Sequence, residues 1–181
     1  MIIVNLILVL YTIALLLIFC YALIQLNLLF NYLKSKKKQT NLPTLDFTDL
    51  DKVPYVTIQL PVYNELYVME RLLDNISKLD YPSERIEIQV LDDSTDESLN
   101  TTATKIKELQ TEGLDIKHVL RDNREAFKAG ALKEGLKSAQ GEFIAIFDAD
   151  FMPKPDWLKK TVPHFHNPEI GVVQTKWGHI N

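Results

Sequence analysis

Two aspartates one residue apart, Asp148-Ala-Asp150, directly follow the apolar run Phe143-Ile-Ala-Ile-Phe147. On a chain leaving a strand, that spacing lets both carboxylates face one pocket. Magnesium and manganese are held by one or two such carboxylates, with phosphate oxygens completing the shell. An Asp-x-Asp pair is common by chance, and its place after an apolar run is what gives it weight. A second pair, Asp92-Asp93, ends the alternating run Ile86-Glu-Ile-Gln-Val-Leu91. A carboxylate there can accept from the ring N–H of a base, or from two ribose hydroxyls at once. Tyr63, in Pro61-Val-Tyr-Asn-Glu65, offers a ring for stacking, and Lys128 offers a point charge for a diphosphate. Each residue also has a plainer explanation: Asp is a good helix cap, tyrosines are often half-buried, and helix lysines are usually solvated. Three acidic strand ends on one rim would nevertheless repel each other unless a cation or hydrogen-bond donors lay between them.

The elements that must position these groups alternate. Tyr55 to Pro61 reads as a strand, and Glu65 to Lys78 has helical spacing, with Leu66, Met69, Leu72, Leu73 and Ile76 on one side. Ile86 to Leu91 is a second strand. Ser94-Thr-Asp-Glu97 opens a helix running to about Gln110. Ile116 to Leu120 is a third strand, and Phe127 to Ala139 a helix closed by Gly141. Glu142 to Phe147 reads as a buried fourth strand, Pro155-Asp-Trp157 starts a short helix, and Gly171 to Thr175 is a further strand. This order predicts an α/β fold with a mainly parallel sheet. In such sheets ligands bind beyond the carboxyl ends of the strands, where the acids lie.

From Ile2 to Leu33 there is no charged residue, and roughly 20 such residues cross a bilayer core. A cleaved signal would want a basic start, a shorter apolar core and a small-residue cleavage site, none of which is present. A retained transmembrane anchor is expected over 1–33, with a basic and polar linker over 34–53 and a folded domain over 54–181. Lys34, Lys36, Lys37 and Lys38 follow the span with no counterweight before it, which predicts an outside N-terminus and a cytoplasmic domain. The sequons at Asn75 and Asn100 would then never be modified.

Bulk composition excludes other classes. The net charge of -4 and the dispersed basic residues argue against a nucleic-acid partner. The single cysteine, Cys20, rules out an internal disulfide and a cysteine-rich zinc site. No G-x-G-x-x-G or P-loop is present, which disfavours a dinucleotide oxidoreductase. An aspartate-nucleophile phosphatase would carry its Asp-x-Asp after the first strand rather than a late one.

Taken in order, Pro61-Val-Tyr-Asn-Glu65, Leu91-Asp-Asp-Ser94, Phe127-Lys-Ala-Gly-Ala-Leu132 and Phe147-Asp-Ala-Asp150 resemble family-2 glycosyltransferases of the GT-A fold. Arg121 to Leu132 is similar to the cellulose-synthase-like branch, including its glucomannan-synthase-like members. The resemblance implies a nucleotide-diphosphate sugar donor of the UDP-glucose or GDP-mannose type, Mg2+ or Mn2+, inverting transfer, and a glycan or lipid acceptor. Carried over, it puts Tyr63, Glu65 and Asp93 on the nucleoside with Asp92 beside them, and Lys128 near base and phosphates. Asp148 and Asp150 would hold the metal and diphosphate. It also implies that the catalytic base lies beyond residue 181, with the acceptor-binding half, so no residue of this chain is assigned as base and the chain is expected to be a fragment that does not turn over. Gln174-Thr-Lys-Trp177 is too early, and lacks the arginine, to serve as the processive Gln-x-x-Arg-Trp motif. A catalytically inactive, membrane-tethered donor-binding module shares every one of these motifs.

Overall fold

The computed structural model describes residues 1–36 and 45–176. The chain divides into two units, 1–41 and 42–181. The first is a single helix, α1 (Ile2–Lys36), with apolar side chains pointing outward all round. It is long and apolar enough to cross a membrane. Of the expected lysine cluster, Lys37 and Lys38 lie outside the described residues, as do residues 39–44 of the polar linker.

The second unit is built on four strands: β1 (Val56–Val62), β2 (Ile86–Asp92), β3 (Ile116–Leu120) and β4 (Phe143–Ile146). All pair in parallel, in the order β3-β2-β1-β4. Helices α2 (Met69–Ile76), α3 (Ser98–Thr111), α4 (Phe127–Leu136) and α5 (Trp157–Thr161) fill the connections. Strand alternation sorts the sheet into two unlike faces. Val56, Ile58, Leu60, Ile88, Val90 and Ile116 point to one face and form the core with Met69, Leu72 and Leu73 of α2 and Ile106 and Leu109 of α3.

The opposite face, under α4, is polar. Thr57 donates to Glu87 Oε2 at 2.6 Å, Gln59 Nε2 to Gln89 Oε1 at 3.0 Å, and Lys117 Nζ to Glu87 Oε1 at 2.5 Å. Glu87 also accepts from the Gln140 amide, so its buried carboxylate is fully partnered. That is the condition on which a buried charge is tolerated.

Several boundaries differ from the sequence expectation. α2 begins at Met69 instead of Glu65, because residues 66–68 form a tight turn in which the amides of Val68 and Met69 both donate to Glu65 O. α3 begins at Ser98 instead of Ser94, since Ser94 and Thr95 are drawn into bonds with Asn64. Gly141 does not cap α4, which ends at Leu136. It is a packing glycine whose Cβ would sit 2.2 Å from the Thr57 amide nitrogen. β4 is an edge strand, less buried than expected, with Ile146 exposed. The expected strand over Gly171–Thr175 does not form: Val172 is exposed, and residues 171–176 have no ladder partner.

Candidate functional site

The carboxyl ends of β1, β2 and β4 meet the start of α4 around a cleft of about 440 Å³. It is lined by Tyr63, Glu65, Asp93, Arg124, Lys128, Asp148 and Asp150, with Pro61, Val62, Ala131 and Ala149. A hollow of about 490 Å³ lies on the other side of the β3–α4 loop, lined by side chains of both signs but by none from β1 or β4. Of the strand-end acids, Glu65, Asp93, Asp148 and Asp150 therefore converge on the 440 Å³ cleft.

The loops after β1 and β2 are zipped together. The Asp93 amide donates to Val62 O at 3.1 Å, the Asn64 amide to Ser94 Oγ at 2.9 Å, and the Thr95 amide to Asn64 Oδ1 at 2.9 Å. Asn64 takes a left-handed conformation, φ 56°, which asparagine tolerates better than most residues. The zip fixes Tyr63 and Asp93 side by side.

Asp92, the last residue of β2, and Asp93, just past it, point to opposite sides and continue the strand's alternation. Asp93 faces the cleft. Asp92 turns inward: its Oδ2 accepts from His118 Nε2 at 2.9 Å and its Oδ1 from the Ser94 amide at 2.9 Å, and its carboxylate is fully enclosed. Burial alone would raise the Asp92 carboxyl, but the His118 and Ser94 hydrogen bonds outweigh it and hold it below the ordinary carboxylate value. Asp92 thus braces the loop, whereas Asp93 faces the cleft.

Two arginines that sequence reasoning left without roles complete this wall. Arg121 donates from Nε to Asp93 Oδ1 at 2.6 Å and from Nη2 to Asp93 Oδ2. Its fork also reaches Glu125 O and Phe127 O at 2.7 and 2.8 Å, pinning the β3–α4 loop. That loop needs pinning, because Ala126 and Phe127 both adopt positive φ, at 55° and 47°. Left-handed backbone at a residue with a Cβ costs roughly 1–2 kcal/mol. Gly130 permits the approach: a Cβ there would stand 2.0 Å from Glu125 O. Arg124 behaves differently, its guanidinium lying over the Tyr63 ring at 3.3 Å. The spacing Arg121-Asp-Asn-Arg124 after an alternating run was the available signal.

On the far wall, Asp148 and Asp150 leave β4 through a loop anchored by aromatics. Phe147 is buried, stacked on Phe151 at 5.3 Å and edge-on to Trp157 at 4.8 Å. Lys128, from the first turn of α4, forms an ion pair with Asp148. Its side chain is 51% exposed, so the pair is worth no more than about 1 kcal/mol and opens readily. Among the described residues no group of three or more His, Cys, Asp or Glu could enclose a metal. Two oxygen donors beside an open cleft fit a hard cation that shares its shell with phosphates, and Lys128 already places a cationic group on one of them.

The comparisons decide the family. The model for glycosyl transferase family 2 matches residues 57–181. The chain belongs to glycosyltransferase family 2. A probable glucomannan 4-beta-mannosyltransferase 4 of Oryza sativa subsp. japonica is 45% identical over 133 residues, which cover 71% of this chain and 24% of that protein. Glucomannan 4-beta-mannosyltransferase 7 of Arabidopsis thaliana gives the same figures, 45%, 71% and 24%. This glycosyltransferase chain therefore spans about a quarter of the length of its plant relatives. Among solved structures, the mannosyltransferase PcManGT from Pyrobaculum calidifontis, in complex with GDP-Man and Mn2+, aligns with TM-score 0.62 and 32% identity over 80% of this chain and 41% of its own. The parallel sheet with its N-terminal apolar helix agrees with the α/β, GT-A-type fold expected from the motifs.

Proposed function

We propose that residues 54–181 are the donor-binding half of a membrane-bound glycosyltransferase that takes a sugar from a nucleotide-diphosphate donor of the GDP-mannose type and passes it, with inversion, to a growing glycan or a lipid-linked acceptor. Residues 1–33 are the anchor and 34–53 the linker, with the folded part cytoplasmic. The observation that carries this reading is the convergence of Tyr63, Glu65, Asp93, Lys128, Asp148 and Asp150 on one cleft at the strand ends. The glucomannan mannosyltransferase relatives and the GDP-Man complex of the structural neighbour support the donor class.

Tyr63 and Asp93 form the nucleoside end, with Glu65 beside them to accept from ribose hydroxyls. Asp148 and Asp150 would hold Mg2+ or Mn2+. When bound, the cation supplies neutralisation of the diphosphate as it departs. Lys128 is released from Asp148 and turns its ammonium onto a phosphate oxygen, a movement of one flexible side chain. The cleft carboxylates are committed to nucleoside and cation, so none is assigned as the base that takes the acceptor proton.

The test is calorimetry on detergent-solubilised chain with GDP, with manganese or with chelator. Wild type should bind with manganese and weakly without it. Asp150→Asn should cut affinity roughly tenfold to a hundredfold, the loss of about 1.5–3 kcal/mol expected for a charge-assisted contact. Equal binding by both proteins in metal and in chelator would remove the metal from the reading.

A further inference from the structure

Arg124 is placed unlike any other charged group of the cleft. Its guanidinium carbon lies 3.3 Å from the centroid of the Tyr63 ring, the separation of two stacked planar groups, and the Phe127 ring centroid is 5.1 Å away. The contact to Asp93 Oδ2 is 3.8 Å, beyond hydrogen-bonding distance. Arg121, three residues earlier, has a 12% exposed side chain whose fork is spent on Asp93 and two carbonyls, whereas that of Arg124 is 38% exposed. One arginine is a pin; the other lies loosely on an aromatic face.

Arg124 also stands on a boundary. The 440 Å³ cleft and a neighbouring hollow of about 270 Å³, lined by Ser94, Thr95, Leu99 and Asn123 among others, share Tyr63, Asp93 and Arg124. Of those three, Tyr63 sits on backbone fixed by the zipped loops, and the Asp93 side chain is held by Arg121. Arg124 is the member whose side chain can leave.

We infer that Arg124 is a displaceable occupant of the nucleobase slot: in the free protein its flat guanidinium takes the place on Tyr63 that a planar base takes in the complex, and binding of a base requires it to swing away. The inference rests on the donor reading above. It sets a threshold at the slot, because a base must offer Tyr63 a flat face at least as good as a guanidinium and bears the cost of displacing it. A sugar phosphate or pyrophosphate, with no such face, leaves Arg124 where it is.

The experiment measures affinities of the solubilised chain for GDP, UDP and inorganic pyrophosphate, each with manganese. In Arg124→Ala the ratio of GDP to pyrophosphate affinity should rise about threefold to tenfold, the range for giving up a partly exposed cation–π contact. Arg124→Lys keeps the charge near Asp93 but not the flat fork, and should shift the ratio in the same direction. Adding Tyr63→Ala to Arg124→Ala should abolish the gain. An unchanged or lower ratio in both Arg124 variants, or an equal gain for pyrophosphate, overturns the inference. GDP and UDP binding absent from wild type and variants alike defeats the donor reading with it. Nucleotide binding that is present but indifferent to Arg124 defeats this inference alone.

Discussion

Adjacent aspartates in this chain do different work, and the difference follows from strand geometry alone. Asp93 turns to the cleft and Asp92 to the interior, where His118 and Ser94 hold its carboxyl below the ordinary value against the opposing effect of burial. A folded-state value lowered in this way contributes stability that is fully present above the unfolded value near 4 and is lost as pH falls through the folded one. Asp92→Asn should therefore melt below wild type at pH 7, with a stability loss of about 2 kcal/mol. The gap should narrow below about pH 4, as wild type gives up the same charge. Thermal melts of the two proteins between pH 7 and pH 3 check this, and a gap that stays constant would show that the Asp92 charge contributes nothing. The acids themselves were legible in the sequence, because each sits at the end of an alternating or apolar run. Which of Asp92 and Asp93 faces the cleft was not, since it depends on which face of β2 meets α2 and α3.

At the level of elements, the β3–α4 loop is the most constrained part of the site. Arg121 reaches two of its carbonyls, Ala126 and Phe127 are left-handed, and Gly130 leaves room for Glu125 O. Gly130→Ala would set a Cβ 2.0 Å from that carbonyl oxygen and 2.4 Å from Arg121 Nη1, so backbone must move. Overpacking of this kind costs about 1–3 kcal/mol, and the movement should loosen Arg121 from Asp93. The expected result is a lower melting temperature together with weaker GDP binding. Gly171→Ala, where nothing lies within 4 Å, serves as the control and should change neither. Local pattern was enough to find β3 at Ile116–Leu120 and the start of α4 at Phe127, since both follow from residues within the element. It failed where a distant partner decides. Ser94 and Thr95 look like the opening of a helix but bond to Asn64 across the loops, and Gly141 looks like a cap but makes room for Thr57. The roles of Arg121 and Arg124 were hidden for the same reason: they depend on β3 lying beside β2.

For the molecule as a whole, the proposed topology of α1 and the lysines after it bears on where the donor would come from. The proposed topology puts Lys34 and its neighbours on the cytoplasmic side, so a glycosylation or protease-protection reporter inserted after Gln39 should score cytoplasmic. A signal from the opposite side would place the cleft away from the compartment in which the reading expects its donor. The polar face under α4 has a different consequence, for how the sheet is aligned. Parallel strands meet only after long stretches of chain have closed, so wrong alignments are sampled on the way. A slip of β2 by one residue turns Glu87 into the apolar face beside Val56 or Ile58 of β1, where an unpaired charge costs several kcal/mol. A slip by two residues keeps every apolar side chain on its own face, and hydrophobic contact would not detect it. The ladder does detect it, because Thr57 then faces Gln89 and Glu87 is parted from the hydroxyl that it pairs with in register. Donor and acceptor order along these strands works as a checksum on alignment, rejecting the one error that burial of apolar surface would pass.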